Sequence, residues 1–453
     1  MNTNIFRAYD IRGNANNDLD QSTVKKIGYV LGKRISSLGD NKIYVGHDSR
    51  ISKDEILKNL TIGLNAAEIE VLNLGLVPTP MVYYATKIGD CSHGIMITGS
   101  HNPKDDNGLK IVINDTPTSG LAIKEEVLAL DSFELKTCNN SSESFEKYYL
   151  NEAKQKASLR RALKIVLDAG NGAAGPLARK VFENIGAEVI SINETPDGNF
   201  PNHHPDPSKE KNLAQVKEKI LLENADLGFA FDGDGDRVGL ITSTGKQISS
   251  DHIIMILCEH YLKKSKGPIV YDVKCSNELP KLIKALGGEP IMEKTGHFNI
   301  KNAIKKSGAV LGGEMSGHIF INYEWYGFDD AIFTAAILSK IFSESRLSVD
   351  ELFDKFPKTF STPELNLDVD DSKKFLMVEQ FIKKMNFKNA EIDLIDGVRV
   401  NKANSWGLLR ASNTSPKLVL RYEGNSEEEL INIKDEFERN LKQVFPNLPI
   451  EYT

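Results

Sequence analysis

The segment DGDGDR places Asp232, Asp234 and Asp236 at alternating positions directly after the apolar run DLGFAF. The intervening glycines let the backbone fold tightly, so three carboxylates can point at one centre. Like charges this close repel one another unless a cation lies among them, and hard oxygen ligands select Mg²⁺ or Ca²⁺. An EF-hand would need Gly and Glu where Arg237 and Ser243 stand. The segment therefore predicts a Mg²⁺ site shared with a phosphate, with an exposed acidic turn as the alternative.

Arg237 follows the acidic triplet directly. A guanidinium beside a metal site is suited to bind phosphate oxygens with two parallel hydrogen bonds. The alternative is that this arginine only balances the charge of the aspartates.

Ser100 lies in TGSHNP, a turn that follows the strand-like run GIMI. A serine-hydrolase elbow would have glycine where Asn102 stands, and no order of His and Asp fits such an enzyme. Near a predicted Mg²⁺ site and phosphate-binding groups, the hydroxyl is suited to hold and release a phosphoryl group. The alternative is a polar turn with no role in chemistry.

Two further loops carry polar side chains that suit a phosphorylated sugar. GEMSGH offers Glu314, Ser316 and His318, and a carboxylate with a hydroxyl can bind neighbouring sugar hydroxyls. RASNTSP combines Arg410 with short hydroxyl and amide side chains and no carboxylate, which favours phosphate over a cation. For each loop the alternative is a purely structural turn.

A repeated pattern positions these loops. Strand-like runs end at Asp48, Asp168 and Asp272, each followed by a polar turn and helix-like sequence. Each unit then has a second apolar run that leads into TGSHNP, DGDGDR or GEMSGH. This repetition predicts three related α/β domains with mixed sheets whose loops converge on one cleft, because ligands gather at loops that leave strand ends. Chance similarity between common βα units is the alternative.

The chain after this repeat has a different order of helix-like and strand-like segments. STPELNLDVDDS is followed by a helix-like segment, short strands, the RASNTSP loop, a strand and a long helix-like segment. This order indicates an α+β module. The sequence thus predicts four domains, at residues 1–150, 151–250, 251–362 and 363–453.

Composition narrows the class of protein. The chain has 453 residues, of which 40% are hydrophobic and 26% charged, so it can build several cores and is not disordered. A net charge of −7 gives no indication of a nucleic-acid or membrane partner. The four scattered cysteines and the absence of a signal-like or membrane-length apolar run lead us to expect a cytoplasmic protein. We expect a monomer, with a dimer as the alternative.

The motifs together resemble those of the α-D-phosphohexomutase family, specifically its bacterial phosphomannomutase/phosphoglucomutase branch. The resemblance covers essentially the full length and is carried, in family order, by FRAYDIRG, TGSHNP, NGLK, FPNHHPDP, DGDGDR, DVKC, KTGH, GEMSGH, YGFDDA and RASNTSP. It implies four domains around a central cleft, a phosphoserine at Ser100, and one Mg²⁺ held by Ser100 with Asp232, Asp234 and Asp236.

The resemblance also implies roles for other residues of the cleft. Sugar binding falls to Glu314, Ser316 and His318, and binding of the distal phosphate falls to Arg410, Ser412, Asn413 and Thr414. Further substrate contacts are Tyr9, Arg12, Lys274 and His297. The groups that move protons or stabilise the transferring phosphoryl group are His101, Lys110, Arg237 and His318.

The implied reaction interconverts hexose 6-phosphate and hexose 1-phosphate through a hexose 1,6-bisphosphate, with mannose and also glucose as the sugar. A phosphoglucosamine mutase would share this chemistry, although Gly99 and Met315 replace the residues of its ASHNP and GEQSGH loops. Two more distant classes of protein also fit the loops, namely a Mg²⁺-dependent sugar-phosphate phosphatase and a cation-stabilised sugar-binding protein.

Overall fold

Four β-sheets, each with its own helices, organise the chain. The computed structural model describes residues 1–413 and 415–452, so the predicted phosphate contact Thr414 lies outside the described residues. Three sheets mix parallel and antiparallel strands and the fourth is wholly antiparallel. The predicted fold class, three related α/β domains followed by an α+β domain, is confirmed. Among the helices of the described residues, none is long and apolar enough to cross a membrane.

The first domain contains a seven-stranded sheet in the order β1-β5-β4-β2-β3-β7, with β6 paired to β5. Buried apolar runs such as GIMI form its central strands, because helices cover both faces. Its elements are β1 (Ile11–Asn14), α1 (Gln21–Ser37), β2 (Lys42–His47), α2 (Lys53–Ala66), β3 (Glu70–Leu76), α3 (Thr79–Ile88), β4 (Gly94–Ile97), β5 (Asp106–Ile113), β6 (Thr116–Thr118), α4 (Gly120–Ala129) and β7 (Ser141–Ser142).

The second domain has five strands in the order β12-β11-β10-β8-β9. Every residue of the strand LGFAF, which leads into the acidic loop, is buried. Its elements are α5 (Glu146–Ala157), β8 (Lys164–Asp168), α6 (Gly175–Ile185), β9 (Glu188–Ile192), α7 (Ala214–Glu223), β10 (Leu227–Phe231), β11 (Val238–Thr242) and β12 (Gln247–Ile248).

The third domain has four strands in the order β14-β13-β15-β16. Its elements are α8 (Ser250–Lys264), β13 (Pro268–Asp272), α9 (Glu278–Ala285), β14 (Glu289–Glu293), α10 (His297–Ser307), β15 (Leu311–Gly313), β16 (Ile319–Ile321), α11 (Ala331–Glu344) and α12 (Val349–Asp354).

The fourth domain is an antiparallel sheet in the order β17-β22-β21-β20-β19, with β18 also paired to β22, and two helices. Ser426 caps the long last helix by accepting a hydrogen bond from the Glu429 backbone. Its elements are β17 (Phe360–Ser361), β18 (Leu365–Asp368), α13 (Lys374–Lys384), β19 (Glu391–Asp393), β20 (Val398–Asn401), β21 (Ser405–Ala411), β22 (Lys417–Gly424) and α14 (Glu427–Val444).

The first three sheets share one topology. In each, a central strand (β2, β8 or β13) is parallel to two neighbours, and the later of these neighbours is followed by an antiparallel strand. The turn before that antiparallel strand is TGSHNP, DGDGDR or GEMSGH in turn. The exact domain boundaries stay a prediction. The strand β17 lies just before the predicted boundary at residue 362, yet it pairs with β22 of the fourth sheet.

A buried aromatic cluster joins the first three domains behind these loops. The Trp325 ring stacks on Phe333 with centroids 3.8 Å apart and on Tyr84 at 5.5 Å, and Tyr149 meets it edge-on. Rings from α3, α5 and α11 therefore share one apolar core, and this core fixes the three loops relative to one another.

Candidate active site

The loops of the first and second domains meet at Ser100. Its hydroxyl donates a hydrogen bond to Asp232 Oδ2 over 2.8 Å, although the two residues lie 132 positions apart. Gly233 makes this approach possible, because a Cβ atom there would lie 2.4 Å from the Ser100 carbonyl oxygen. Ser100 is 3% exposed and has φ +50°, a conformation that few residues other than glycine adopt.

Arg50 shapes the serine loop from within. Its guanidinium donates to the carbonyl oxygens of Ser100 at 2.8 Å, Asn102 at 2.7 Å and Asp106 at 2.7 Å, and also to that of Pro103. The Arg50 side chain is fully buried. Four backbone acceptors around one planar fork hold the loop in a single shape.

The recurrent aspartate at the strand end has a structural explanation in two copies of the repeat. Asp48 accepts hydrogen bonds from the Thr98 hydroxyl at 2.7 Å and the Gly99 N–H at 3.1 Å, within the serine loop. Asp272 likewise accepts from the Met315 N–H at 3.0 Å, within GEMSGH. Each aspartate thus ties the loop of its own domain to the end of the central strand.

The three aspartates of DGDGDR are completely buried. Lys110 Nζ donates to Asp234 Oδ2 at 2.6 Å and also pairs with Asp236, while the Thr79 hydroxyl donates to Asp234 at 2.5 Å. Burial opposes the charge of Asp234, but Lys110 and Thr79 outweigh burial and lower its pKa. Burial, then the charges of Asp236 and Asp234, raise the pKa of Asp232 well above its usual range.

This acidic cluster fits a divalent cation. Ligand oxygens of all three aspartates lie within 4.8 Å of one another. Within residues 1–413 and 415–452, Asp234 Oδ1 and Asp236 Oδ1 are buried without a hydrogen-bond partner. Buried carboxylate oxygens that face one another without donors are the ligand set that Mg²⁺ prefers.

Arg237 and two histidines border the acidic cluster. The Arg237 Nε donates to His318 Nε2 at 2.9 Å, and its Nη1 lies 3.5 Å from His101 Nε2. Burial and then the neighbouring Arg237 charge lower the pKa of His101 well below its usual range, so this ring is neutral. On its other side, His318 Nδ1 lies 3.2 Å from Asp329 Oδ2 and 3.6 Å from Asp236 Oδ1.

Several polar atoms of the third domain face the same cleft without partners. Glu314 Oε1 accepts from the Gly296 N–H at 2.6 Å. Of the side chains that the structure describes, those with a buried atom that makes no hydrogen bond include Glu314 (Oε2) and Ser316 (Oγ). The Nδ1 atoms of His297 and His318 also make no hydrogen bond within the described part of the chain, but they lie 3.7 Å and 3.2 Å from Asp329 Oδ2. Unsatisfied acceptors and donors at this density suit a ligand rich in hydroxyl groups.

The fourth domain contacts the first domain at Tyr9. The Tyr9 hydroxyl donates to the Thr295 carbonyl at 2.8 Å and accepts from the Asn413 side-chain amide. Burial raises the pKa of Tyr9 to about 12, so its hydroxyl stays neutral. Tyr9 thus connects the first, third and fourth domains.

Ion pairs hold two cations that were predicted to contact the substrate. Arg410 Nε donates to Asp396 at 2.7 Å, and Lys274 Nζ donates to Glu364 at 3.1 Å. In the same loop as Arg410, the Ser415 hydroxyl donates to Ser412 Oγ at 2.8 Å.

Arg12 approaches from the first domain. It donates to Asp10 at 2.7 Å and to the Thr98 carbonyl next to the serine loop. Contacts across all four domains thus bring together the described residues that the sequence predicted for the site, from loops, strand ends and the start of α10.

Sequence reasoning missed several polar residues of this site. Asp329, which faces His318, lies in the quoted YGFDDA motif, and Lys301 pairs with its other oxygen at 3.0 Å. The sequence marks Asp48 only as a strand end, and Arg50 two residues later carries no signal of its own. Asp396 and Glu364 contact cations at distances along the chain that no local pattern reveals.

Comparisons with known proteins agree with this arrangement. The chain matches Phosphoglucomutase/phosphomannomutase, alpha/beta/alpha domain I over residues 3–130, domain II over 143–245 and domain III over 249–360, and the C-terminal domain over 364–440. It is 44% identical to a phosphomannomutase/phosphoglucomutase of Pseudomonas syringae pv. tomato, over 99% of this chain and 97% of the relative.

A second relative and a solved structure extend the similarity. A phosphoglucomutase of Neisseria meningitidis serogroup A is 40% identical over 98% of both chains. The crystal structure of a phosphoglucomutase/phosphomannomutase family protein from Burkholderia thailandensis superposes with a TM-score of 0.93 at 38% identity, over 99% of each chain.

Proposed function

The chain belongs to the phosphoglucomutase/phosphomannomutase family, and from that premise we propose that it interconverts the 6-phosphate and 1-phosphate of mannose and of glucose. The observation that carries the proposal is the hydrogen bond between the Ser100 hydroxyl and Asp232, which sets a nucleophilic oxygen at the edge of the acidic cluster. We expect a monomer to be active, with a dimer as the alternative.

In the proposed first step, phosphorylated Ser100 gives its phosphoryl group to the free hydroxyl of a hexose phosphate. The bond between phosphorus and Ser100 Oγ breaks, and a bond to the sugar oxygen forms. The sugar hydroxyl loses its proton to a buried basic group, for which we propose His318, with His101 nearby. Lys110, the other predicted base, does not suit this role: burial opposes its charge, but the charges of Asp234 and Asp236 outweigh burial and raise its pKa, so it stays protonated. Arg237 lies where its guanidinium can bind the transferring group, together with Arg12 from the serine loop side.

Asp232, Asp234 and Asp236, with Ser100, would hold the Mg²⁺ ion. When bound, this ion supplies charge neutralisation for the phosphoryl group. Lys110 and Thr79 keep Asp234 and Asp236 aligned from behind.

In the second half of the reaction the hexose 1,6-bisphosphate reorients in the cleft. Ser100 Oγ then loses its proton and forms a bond to the other phosphoryl group, while the bond of that group to the sugar oxygen breaks and the sugar oxygen takes up a proton. Glu314, Ser316 and His297 offer partners for sugar hydroxyls in both orientations. The loop of the fourth domain, with Arg410, Ser412, Asn413 and Thr414, together with Lys274, would hold whichever phosphate is not reacting.

A coupled assay tests this function. Mannose, glucose and glucosamine 1-phosphates are supplied with Mg²⁺ and a trace of hexose 1,6-bisphosphate, and formation of the 6-phosphate is measured. We expect turnover with mannose and glucose, and loss of at least about a thousandfold in Ser100→Ala.

Three results would contradict the proposal. Release of inorganic phosphate without isomer formation would indicate a phosphatase. Near-normal turnover by Ser100→Ala, or no added phosphate on Ser100 by peptide mass analysis after exposure to the bisphosphate, would exclude the covalent route.

A further inference from the structure

Lys274 is a buried cation whose carboxylate partner, Glu364, is partly exposed. The lysine is 5% exposed, and its Nζ lies 3.1 Å from Glu364 Oε2 and 3.9 Å from Asp272 Oδ2. The Glu364 side chain is 39% exposed. The charges of Lys274 and, less strongly, of Arg410 lower the pKa of Glu364 to about 2, so this carboxylate is ionised at neutral pH.

The neighbouring pair between Arg410 and Asp396 is built differently. Both side chains are mostly buried, and Asp396 also accepts a hydrogen bond from the Thr295 backbone at 3.1 Å. By contrast, among the described residues the Glu364 side chain accepts a hydrogen bond from Lys274 alone. Asp396 is therefore held in place independently of the arginine, whereas Glu364 depends on the lysine.

The backbone around Lys274 is fixed to the fourth domain. Arg421 donates to the carbonyl oxygen of Lys274, and Arg399 donates to those of Val273 and, at 3.0 Å, Cys275. Both arginines are 3% exposed. Lys274 can therefore change its partner by side-chain movement alone, while its backbone keeps its position beside the phosphate-binding loop.

We propose that Glu364 is an internal competitor for phosphate: its carboxylate pairs with Lys274 between phosphate-binding events and gives up that lysine to a phosphate group of the substrate. A carboxylate and a phosphate are both oxyanions, so they compete directly for one ammonium group. During turnover one phosphate must leave this clamp before the other arrives. Glu364 pairs with Lys274 again at that point, which lowers the free-energy cost of releasing the phosphate. The inference rests on the proposed mutase function.

The test compares Glu364→Gln with wild type and with Glu436→Gln, which removes a carboxylate that pairs with Lys402 on the fourth domain. Binding of mannose 6-phosphate to each Mg²⁺-loaded protein is measured by calorimetry, and KM and kcat by the coupled assay. Because partly exposed ion pairs are weak, we expect about two- to fivefold tighter binding for Glu364→Gln only. We expect kcat to fall by a similar factor, so that kcat/KM stays nearly constant.

A merely structural role would raise KM and lower kcat together, and that result overturns the proposal, as does unchanged binding. An unchanged melting temperature shows that the variant is folded. The two proposals can fail separately. Tighter binding by Glu364→Gln, without mutase activity in wild type, would support the role of Glu364 as a competitor and contradict the proposed mutase function. Mutase activity without tighter binding by Glu364→Gln contradicts the competitor alone.

Discussion

The serine loop of the first domain and the phosphate-binding loop of the fourth domain are held by different kinds of contact. Residues 98–100 of the serine loop are buried, and Arg50 and Asp48 bind the backbone of this loop. The backbone of the loop that begins at Arg410 receives a contact from Lys374, which donates to the Ser415 carbonyl at 3.0 Å. The side chains of this loop meet Asp396 through Arg410 and Tyr9 through Asn413.

This difference matches the two tasks that we propose. Backbone contacts fix the atom where bonds break and form, since displacement by about 1 Å there can slow chemistry a hundredfold. Side-chain contacts such as the hydrogen bond of Asn413 to Tyr9 can break and re-form as a phosphate enters and leaves. Changes near Ser100 should therefore lower kcat, and changes near Arg410 should act mainly on KM.

The largest effect is expected from Asp234→Asn, which weakens the metal site beside the serine loop. Loss of one charged ligand and of the pair with Lys110 should lower kcat by about a thousandfold. Steady-state turnover at increasing Mg²⁺ measures this. Glu210→Gln, which removes a carboxylate paired with Lys217 on the surface of the same domain, is the control.

Metal removal is the matching experiment on wild type. A chelator should abolish turnover and added Mg²⁺ should restore it. Full activity after exhaustive chelation, or in Asp234→Asn, would show that the acidic cluster serves another purpose.

Arg50→Lys should have the next largest effect. One ammonium group cannot reach the four carbonyl oxygens that the guanidinium binds, so the serine loop loses its fixed shape. We expect kcat to fall about a hundredfold with little change in KM. Arg179→Lys, on an exposed helix position, controls for the substitution itself. If both variants retain wild-type kcat, the contrast between the two loops is wrong.

The role of Arg50 shows where sequence reasoning reached its limit. Ser100 and the aspartate triplet could be predicted because each lies in one short segment with a strand before it. The three-fold repeat was visible because buried strands such as GIMI and LGFAF are continuously apolar. Arg50 contacts a loop about 50 positions away, and such a contact exists only once the sheet order β4-β2 is known.

Ion pairs were equally hidden from the sequence. Asp396 contacts Arg410 across a strand turn, and Glu364 contacts Lys274 from another domain, 90 positions along the chain. Charged residues of these types occur throughout the sequence, so no local pattern separates such pairs from solvated side chains.

Asp396→Asn should have a smaller effect, on the other side of the comparison. Asp396 orients Arg410 through its Nε, and a neutral amide would loosen that orientation. We expect KM to rise about tenfold with kcat within about twofold, as for loss of one charge-assisted hydrogen bond. Steady-state kinetics with mannose 1-phosphate measure KM and kcat separately. A drop in kcat at constant KM would reverse our assignment of the two loops.

The smallest effect is expected at His260, which lies on α8 away from both loops. Burial, then Lys264 and Lys340, lower its pKa to about 4 from an ordinary value near 6.5. Between these values the unfolded chain binds more protons, so the free energy of unfolding falls as pH falls.

His260→Phe should remove this acid sensitivity. After allowance for solvent screening, we expect it to recover about 1 kcal/mol at about pH 5 and to leave kcat and KM unchanged at about pH 7. Urea unfolding at the two pH values measures the difference. An identical pH dependence in wild type and variant would contradict the assignment of this sensitivity to His260.

The Tyr9 hydroxyl touches both Thr295 and Asn413, so this side chain bridges the opening between domains. Its ring also packs against Gly296, where a Cβ atom would lie 2.6 Å from the ring. A sugar phosphate that enters beside Tyr9 would break its contact with Asn413. Association is then slower than simple diffusion allows, and Tyr9→Phe, which frees Asn413, should bind substrate faster.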